Sequence, residues 1–221
     1  MKIYDVTLEI KEEMIVYPNN PSPSFSFYGK IPEQRTNGTL MSLGVHTGTH
    51  VDAELHIKTN GKGATSLPLE SFYGPCRVLD LSKVGKEIHK EHLEKFNIKK
   101  NEIILLKTEN SLKGYNQFRA DFAHVKLDAA KYLVSKKVKT LGFDYLSVKK
   151  KGGDENVHEL LIKNLTLFEG LDLSKIKEFT VAEKGMGQLN LSTLNLTDGM
   201  YSYSLVLNGK IIDTKKMLKT K

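Results

Sequence analysis

A short stretch in the first quarter of the chain carries four side chains that could bind a metal ion or transfer a proton. They are His46, His50, Asp52 and His56. Neutral imidazole and carboxylate are the ligand types that suit zinc and neighbouring divalent metals. The stretch 46–56 therefore indicates a candidate metal site.

The spacing of these residues predicts a turn within the stretch. In a straight strand, His46 and His50 would lie about 13 Å apart, which is awkward for two ligands that must each approach one ion within about 2.1 Å. In a continuous helix the two histidines would share a face, but Asp52 would point away from it. We therefore expect the chain to turn at Gly48, and the threonines on either side of it to hydrogen-bond to backbone or to ligand carboxylates.

Length and composition indicate one globular domain with a substantial core. The chain has 221 residues, of which 39% are apolar and 27% charged. The single cysteine, Cys76, excludes an internal disulfide, as is common in a reducing compartment. Residues 2–10 alternate with charge instead of forming an apolar signal segment, and no run approaches the roughly 18 apolar residues of a membrane span. We expect a cytoplasmic protein that makes no membrane contact.

The net charge of +7 comes mostly from lysine, since the chain has only three arginines, Arg35, Arg77 and Arg119. Nucleic-acid-binding proteins tend to cluster arginine on one surface. Here the lysines are scattered, which is typical of solvated faces and argues against nucleic-acid binding. Binding to nucleic acid would instead predict strongly salt-dependent association. The positive charge could help to attract an anionic substrate.

Hydrophobic patterning predicts alternating strands and helices. The predicted strands cover residues 2–10, 25–28, 39–45, 76–81, 102–107, 138–143 and 165–168. The predicted helices cover 86–96, 127–137 and 156–163, with a short helical turn at 67–70. The strand at 39–45 is expected to be buried and to deliver the chain to His46, whereas 17–23 is a loop rich in proline and asparagine.

This order of elements predicts a single mixed α/β domain. Residues 102–144 form a βαβ-like segment, and the ends of the chain are rich in strand-like patterns, including the glycine-interrupted pattern from 179 onward. We place the domain at residues 1–213 and expect a loose basic tail at 214–221.

Two residues of the second half could complete the metal site. His158 and Glu169 each lie beside the predicted end of an element, where a rigid scaffold can hold a ligand. Taken alone, either would be an ordinary surface or strand-end residue.

Several motifs together resemble one family. The stretch 46–56 resembles the HxGTHxDxPxH motif of the metal-dependent cyclase/hydrolase family, which includes bacterial kynurenine formamidase and isatin hydrolase. Tyr17-Pro18 resembles the aromatic-proline loop of that family, and similar matches follow in order at 67–75, 141–148 and 158–171. The resemblance covers roughly residues 1–205 of the chain.

The resemblance implies a fold, a cofactor and roles for single residues. The fold would be a single α/β domain of the swivelling β/β/α type, assembled as a homodimer or homotetramer. Two divalent metal ions would bind, usually zinc and sometimes manganese. His46 and His50 would hold the first ion, His158 the second, Asp52 and Glu169 would bridge the two, His56 would be the acid/base, and Tyr17 would line the substrate pocket.

The implied activity is that of a metal-dependent amidohydrolase similar to arylformamidase, an enzyme of tryptophan catabolism. Its small-molecule substrate would be N-formyl-L-kynurenine or a related aryl formamide, attacked by a metal-activated water. Two alternatives stay open at this point: hydrolysis of a cyclic amide, imide or lactone, and a metal-binding homologue without catalysis. The sequence departs from the motif at Glu54, where the family has proline. Glu54 could be a solvent-facing replacement, or it could change the charge of the pocket.

Overall fold

A computed structural model describes residues 3–176, 199–207 and 210–219 of the chain. Its strands are β1 (Ser24–Gly29), β2 (Gly38–Ser42), β3 (His50–Asp52), β4 (Cys76–Asp80), β5 (Glu87–Ile88), β6 (Ile103–Lys107), β7 (His124–Val125), β8 (Thr140–Phe143), β9 (Thr166–Glu169), β10 (Gly199–Leu207) and β11 (Lys210–Lys219). Its α-helices are α1 (Lys90–Glu94), α2 (Glu109–Lys113), α3 (Leu127–Ser135) and α4 (Glu155–Asn164). Short 3₁₀ turns lie at Glu54–His56, Ala64–Ser66 and Leu69–Phe72.

A five-stranded mixed sheet with the order β3-β9-β8-β6-β4 forms the centre of the larger compact unit, Asp5–Lys177. Strands β4, β6, β8 and β9 run parallel, and β3 pairs antiparallel with β9 at one edge. The parallel strands are short apolar runs, such as Ile103–Lys107, and they bury leucine, isoleucine and phenylalanine side chains against α3 and α4. The predicted mixed α/β class is confirmed.

The pairing of β3 with β9 positions the candidate site. The register sets His50 opposite Glu169 and Asp52 opposite Leu167. Helix α4, which carries His158, leads directly into β9. Residues from the two halves of the chain therefore meet at the β3 edge of the sheet.

Three predicted elements differ from the structure. Residues 3–10 are not a strand: they form an extended segment with a single bridge between Thr7 and Leu171. Strand β2 is exposed, not buried, because β1 is its only described partner. The helix expected at 86–96 is a two-residue strand followed by the five-residue α1, since Glu87 and Ile88 pair with β7.

The second compact unit, Met1–Tyr4 with Glu178–Lys221, contains the antiparallel hairpin of β10 and β11. Residues 214–219, expected as part of a basic tail, lie within β11. The strand-like pattern predicted for 179–198 falls outside the described residues. The division of the chain into a domain at 1–213 and a tail stays a prediction.

Candidate metal centre

The chain turns at Gly48, as its sequence predicts. Gly48 has a φ of +63°, which a glycine adopts without the steric cost of a side chain. The ring of His50 folds back so that its Nδ1 lies 3.1 Å from the Gly48 carbonyl oxygen. Because a carbonyl oxygen only accepts, Nδ1 carries the proton and donates it. In the neutral ring this leaves the Nε2 lone pair of His50 free to bind a metal.

Three histidines surround the buried carboxylate of Asp52. His46 Nδ1 lies 2.9 Å and His50 Nε2 3.4 Å from Asp52 Oδ1. His158 Nε2 lies 2.9 Å from Asp52 Oδ2, although 106 residues separate the two in sequence. The fold therefore brings His158 to the turn at 46–52, as the proposed site requires.

Glu169 approaches the same two histidines, His50 and His158. Its Oε1 is 3.5 Å from His158 Nε2, and its Oε2 is 3.9 Å from His50 Nε2. The backbone N–H of Val148 donates to Oε1 at 2.6 Å, which fixes the orientation of the carboxylate. Asp52 and Glu169 thus each direct one oxygen toward His50 and the other toward His158.

In the part of the chain that the structure describes, two groups of three residues are close enough to hold a metal ion. In His46, Asp52 and His56, and again in His50, Asp52 and Glu169, the donor atoms all lie within 4.8 Å of one another. Asp52 belongs to both groups, which is what a bridging ligand would do. His56, expected to be the acid/base, belongs to the first group. We call the six residues His46, His50, Asp52, His56, His158 and Glu169 the histidine–carboxylate cluster.

Unpartnered atoms in the cluster support a metal ion as the missing partner. His50 Nε2 and Asp52 Oδ1 are both buried, and the contacts of Asp52 Oδ1 with His46 and His50 lack hydrogen-bond geometry, so neither atom has a hydrogen-bond partner among the described residues. Buried polar atoms are rarely left unpaired, because desolvation without a partner costs about 1–3 kcal/mol per group. A nitrogen lone pair facing carboxylate oxygens is satisfied by a divalent cation of the zinc or manganese type. The donor set therefore fits a divalent metal.

The charges of the cluster shift the pKa values of its members. Burial alone would raise the pKa of Asp52, but contacts with His158, His46 and His50 hold it far below its usual range. Burial would lower the pKa of His158, but Asp52 and Glu169 raise it to about 10. The same two carboxylates raise the pKa of His50 against the effect of burial. Metal binding would therefore displace protons from these histidines.

His56 occupies the exposed side of the cluster. Its ring centroid lies 4.0 Å from that of His46 and 5.3 Å from that of His158. Partial burial lowers the pKa of His56, and the neighbouring imidazoles add to the effect while Asp52 opposes it. His56 therefore lies next to the candidate ligands, on a side that solvent and a substrate can reach.

Tyr17, the expected pocket residue, is half-buried. Its ring meets that of Phe118 edge to face, with centroids 5.6 Å apart. Burial raises the pKa of the Tyr17 hydroxyl, and the charges of Glu169 and Glu155 raise it further. The hydroxyl is therefore within electrostatic reach of a cluster carboxylate, and its role as a pocket residue stays a prediction.

The turn before His56 forms without the proline of the motif. Glu54 is the first residue of the 3₁₀ turn Glu54–His56, and the N–H of His56 donates to the Ala53 carbonyl at 2.9 Å. The first residue of a helical turn has an N–H without a partner in the turn, so proline, which lacks an N–H, fits there. An acidic residue also fits, because its charge is favourable at this end of the turn. The replacement is thus compatible with the approach of the chain to His56.

Thr49 and Gly170 hold the ligand-bearing segments together. Thr49 makes the backbone hydrogen bonds expected of it, whereas Gly170 had no predicted role. Thr49 Oγ1 donates to the Gly170 carbonyl at 2.5 Å and accepts from the Leu8 N–H at 2.9 Å. Gly170 has a φ of +73°, and a Cβ there would lie 2.0 Å from the Gly48 carbonyl oxygen. Only glycine permits this approach. The one sequence signal is that Gly170 directly follows the candidate ligand Glu169.

We expect Thr49→Val to weaken metal binding by about 10- to 100-fold, because partners that orient ligands carry effects of that size. Valine keeps the shape of threonine but loses the hydroxyl that links the turn to β9. Titration of metal into chelator-treated protein by calorimetry measures the change. Thr49→Ser should retain most of the affinity.

Thr47→Val is the matched control for this experiment. The Thr47 hydroxyl is buried but has no hydrogen-bond partner among the described residues, so its removal should leave metal affinity unchanged. Equal affinities for the Thr49→Val variant and the wild type would contradict the proposed link between the segments.

The model of the family described as "Putative cyclase" matches residues 4–150 of the chain. The chain belongs to the cyclase family. The matched residues include the turn at 46–56, whereas His158 and Glu169 lie beyond them and join the cluster through the fold.

Relatives of this cyclase-family chain are hydrolases by name. Kynurenine formamidase of Bacillus thuringiensis subsp. konkukian (strain 97-27) is 28% identical over 177 residues, which cover 79% of this chain and 84% of the relative. A solved structure described as a potential metal-dependent hydrolase with cyclase activity has a TM-score of 0.71 and 34% identity, covering 80% of this chain and 85% of its own. Isatin hydrolase A of Labrenzia aggregata has a TM-score of 0.65 at 19% identity, covering 77% and 80%. That last similarity concerns the fold alone.

The predicted enzyme class and the family resemblance are therefore confirmed: the chain is a cyclase-family hydrolase with a histidine–carboxylate cluster that could bind metal. Within the described ranges, no helix combines the length and the apolar character needed to cross a membrane.

Proposed function

We propose that this cyclase-family protein is a metal-dependent amidohydrolase that cleaves N-formyl-L-kynurenine or a related aryl formamide. The observation that carries the proposal is the arrangement of two buried carboxylates, Asp52 and Glu169, each with one oxygen toward His50 and the other toward His158. Carboxylates in such a position could act as ligands shared by two ions. Zinc is the first candidate, because imidazole and carboxylate are its usual ligands, and manganese is the second.

Each residue of the cluster has a role in this proposal. His46 and His50 would hold one ion and His158 the other, and Asp52 and Glu169 would contribute oxygens to both. When bound, the ions would lower the pKa of a bound water, and their positive charge would stabilise the developing oxyanion. The Val148 N–H and the Gly48 carbonyl hold Glu169 and His50 in their orientations.

His56 is the proton carrier of the proposed reaction. It lies on the exposed side of the cluster, beside His46 and His158, where a substrate would enter. Its imidazole takes a proton during attack on the formyl carbon and delivers it to the leaving aryl nitrogen. The products are formate and an aryl amine. Tyr17 contacts the aromatic part of the substrate.

The similarity to named kynurenine formamidases supports the choice of substrate. The alignment covers 79% of this chain and includes the turn at 46–56. Identity is 28%, so the residues that surround the substrate need not be the same. The substrate is therefore the part of the proposal that requires direct measurement.

The test is an assay of the purified protein with three substrates and a parallel measurement of its metal content. We expect hydrolysis of N-formyl-L-kynurenine with at least one divalent ion per chain, and slower hydrolysis of isatin and of simple aryl esters. Faster turnover of isatin than of N-formyl-L-kynurenine would indicate that the substrate is a cyclic amide instead of an aryl formamide. Bound metal without turnover of any of the three would indicate a binding protein and overturn the proposal.

Chelation tests the metal requirement separately. Dialysis against EDTA should abolish activity, and added zinc or manganese should restore it, because the cluster without metal lacks an activated water. Activity that survives complete metal removal, verified by elemental analysis, would contradict metal catalysis.

A further inference from the structure

An ion pair next to the candidate metal centre has no part in the proposed hydrolysis. Lys149, in the loop after β8, pairs with Glu155, the first residue of α4. The Lys149 side chain is only 15% exposed, whereas that of Glu155 is 76% exposed. Burying most of a lysine is costly, and one largely exposed carboxylate does little to offset that cost. Stability alone is therefore a weak reason for the pair.

We propose that Lys149 and Glu155 form a subsite that recognises the charged end of the substrate, with Lys149 binding a carboxylate and Glu155 binding an ammonium group. The inference rests on the proposed hydrolysis of an aryl formamide and names the substrate class of the same site. A zwitterionic amino-acid group offers one charge of each sign, so it can replace both partners of the existing pair.

Lys149 lies next to the cluster along the chain. The residue before it, Val148, donates its backbone N–H to Glu169 Oε1 at 2.6 Å. The N–H of Lys149 itself contacts Ser147 Oγ at 3.4 Å, so the local backbone is held on both sides. The Lys149 side chain therefore starts one residue from a candidate metal ligand.

Glu155 lies next to the cluster along a helix. It precedes His158 by three residues in α4, and side chains at that spacing share a face with Cβ atoms about 5–6 Å apart. His158 contacts both Asp52 and Glu169, so Glu155 lies within one helical turn of a residue of the cluster. The ion pair thus lies about one helical turn from the position where the reaction would occur.

Tyr17 lies within electrostatic reach of both the ion pair and the cluster. The charges of Glu169 and Glu155 both raise the pKa of its hydroxyl, after burial, which has the largest effect. An aromatic substrate at Tyr17 would therefore have its scissile bond at one end and its charged group at the other.

Calorimetric titration of the metal-loaded protein with three aryl amines tests the subsite without requiring turnover. The probes are L-kynurenine, which carries both charges, 3-(2-aminobenzoyl)propanoate, which lacks the ammonium group, and 2-aminoacetophenone, which lacks both. We expect wild-type protein to bind L-kynurenine at least about tenfold more tightly than 2-aminoacetophenone, since charge-assisted hydrogen bonds contribute on that scale.

Two variants assign the charges. Lys149→Met should remove the preference for both carboxylate-bearing probes and leave 2-aminoacetophenone binding unchanged. Glu155→Gln should weaken the binding of L-kynurenine and leave the binding of the other two probes unchanged. Lys149→Arg, which keeps the charge, and Lys151→Met, which removes an exposed neighbouring lysine, should retain the wild-type preference.

The outcomes separate this inference from the proposed function. A wild-type preference that disappears in Lys149→Met supports the subsite even if N-formyl-L-kynurenine is not hydrolysed. Hydrolysis of N-formyl-L-kynurenine together with equal effects of Lys149→Met on all three probes, or no effect, would overturn the subsite and leave the proposed function standing. Failure of every probe to bind the metal-loaded wild type would also overturn the subsite.

Discussion

Replacement of Asp52 with asparagine is expected to remove bound metal and to lower activity by about 10³-fold or more. Asp52 is the residue on which His46, His50 and His158 converge, and its side chain is fully buried. An amide has no negative charge and presents N–H groups on one side, so it cannot serve two ions. The several kcal/mol of charge stabilisation that a metal gives would be lost, and each 1.36 kcal/mol is a factor of ten in rate.

Metal content per chain, measured by elemental analysis, and kcat report this loss. Asp144→Asn provides a matched control, because Asp144 is also fully buried but hydrogen-bonds to Thr108 and Ser111. This control should lower Tm while leaving the metal content per folded chain unchanged. A full metal complement in Asp52→Asn would refute the ligand assignment.

His56→Ala is expected to leave metal content unchanged and to lower kcat by about 10²- to 10⁴-fold, the usual contribution of a general acid–base residue. His56 is exposed and lies against the His46 and His158 rings, so its removal leaves a gap that a small base can enter. Added imidazole should therefore restore part of the rate, with little effect on KM.

His89→Ala is the control for His56→Ala. His89 is a partly exposed histidine beside Asp128 and Glu87, outside the cluster, and its loss should not change kcat. Loss of one metal ion in His56→Ala would show instead that His56 is a ligand, as its proximity to His46 and Asp52 allows. An unchanged kcat would exclude the acid/base role.

Local sequence patterns predicted the strands and helices whose side chains lie in the core of the larger compact unit. The strands at β4, β6, β8 and β9 and the helices α3 and α4 follow from apolar runs and helical spacing, because burial depends directly on side-chain type. Sequence patterns failed to predict strand formation or burial where these depend on how many neighbouring strands a segment has. Among the described residues, 3–10 alternate like a strand but form a single bridge, and β2 pairs with β1 alone.

The helix predicted at 86–96 failed for a related reason. Ile88, His92 and Phe96 recur every four residues, a spacing that predicts one helical face, and Ile88 and Leu93 are both fully buried. Residues Glu87 and Ile88 nevertheless pair with β7, so the helix begins only at Lys90. A tertiary pairing thus overrode a local preference.

The sequence by itself determined the chemistry of the turn at 46–56. The types and spacing of His46, His50 and Asp52 specify a donor set that could bind a metal, and the glycine between them specifies that the chain must turn. Both properties depend on residues within one short segment, and local sterics and ligand chemistry are enough to derive them.

Only the tertiary structure decided that His158 and Glu169 join this turn. Their positions follow from the pairing of β3 with β9, from the register that sets His50 opposite Glu169, and from α4 leading into β9. A shift of one residue in that register would direct Glu169 to the other face of the sheet. Register depends on contacts between segments more than 100 residues apart, so no local pattern of either segment contains it.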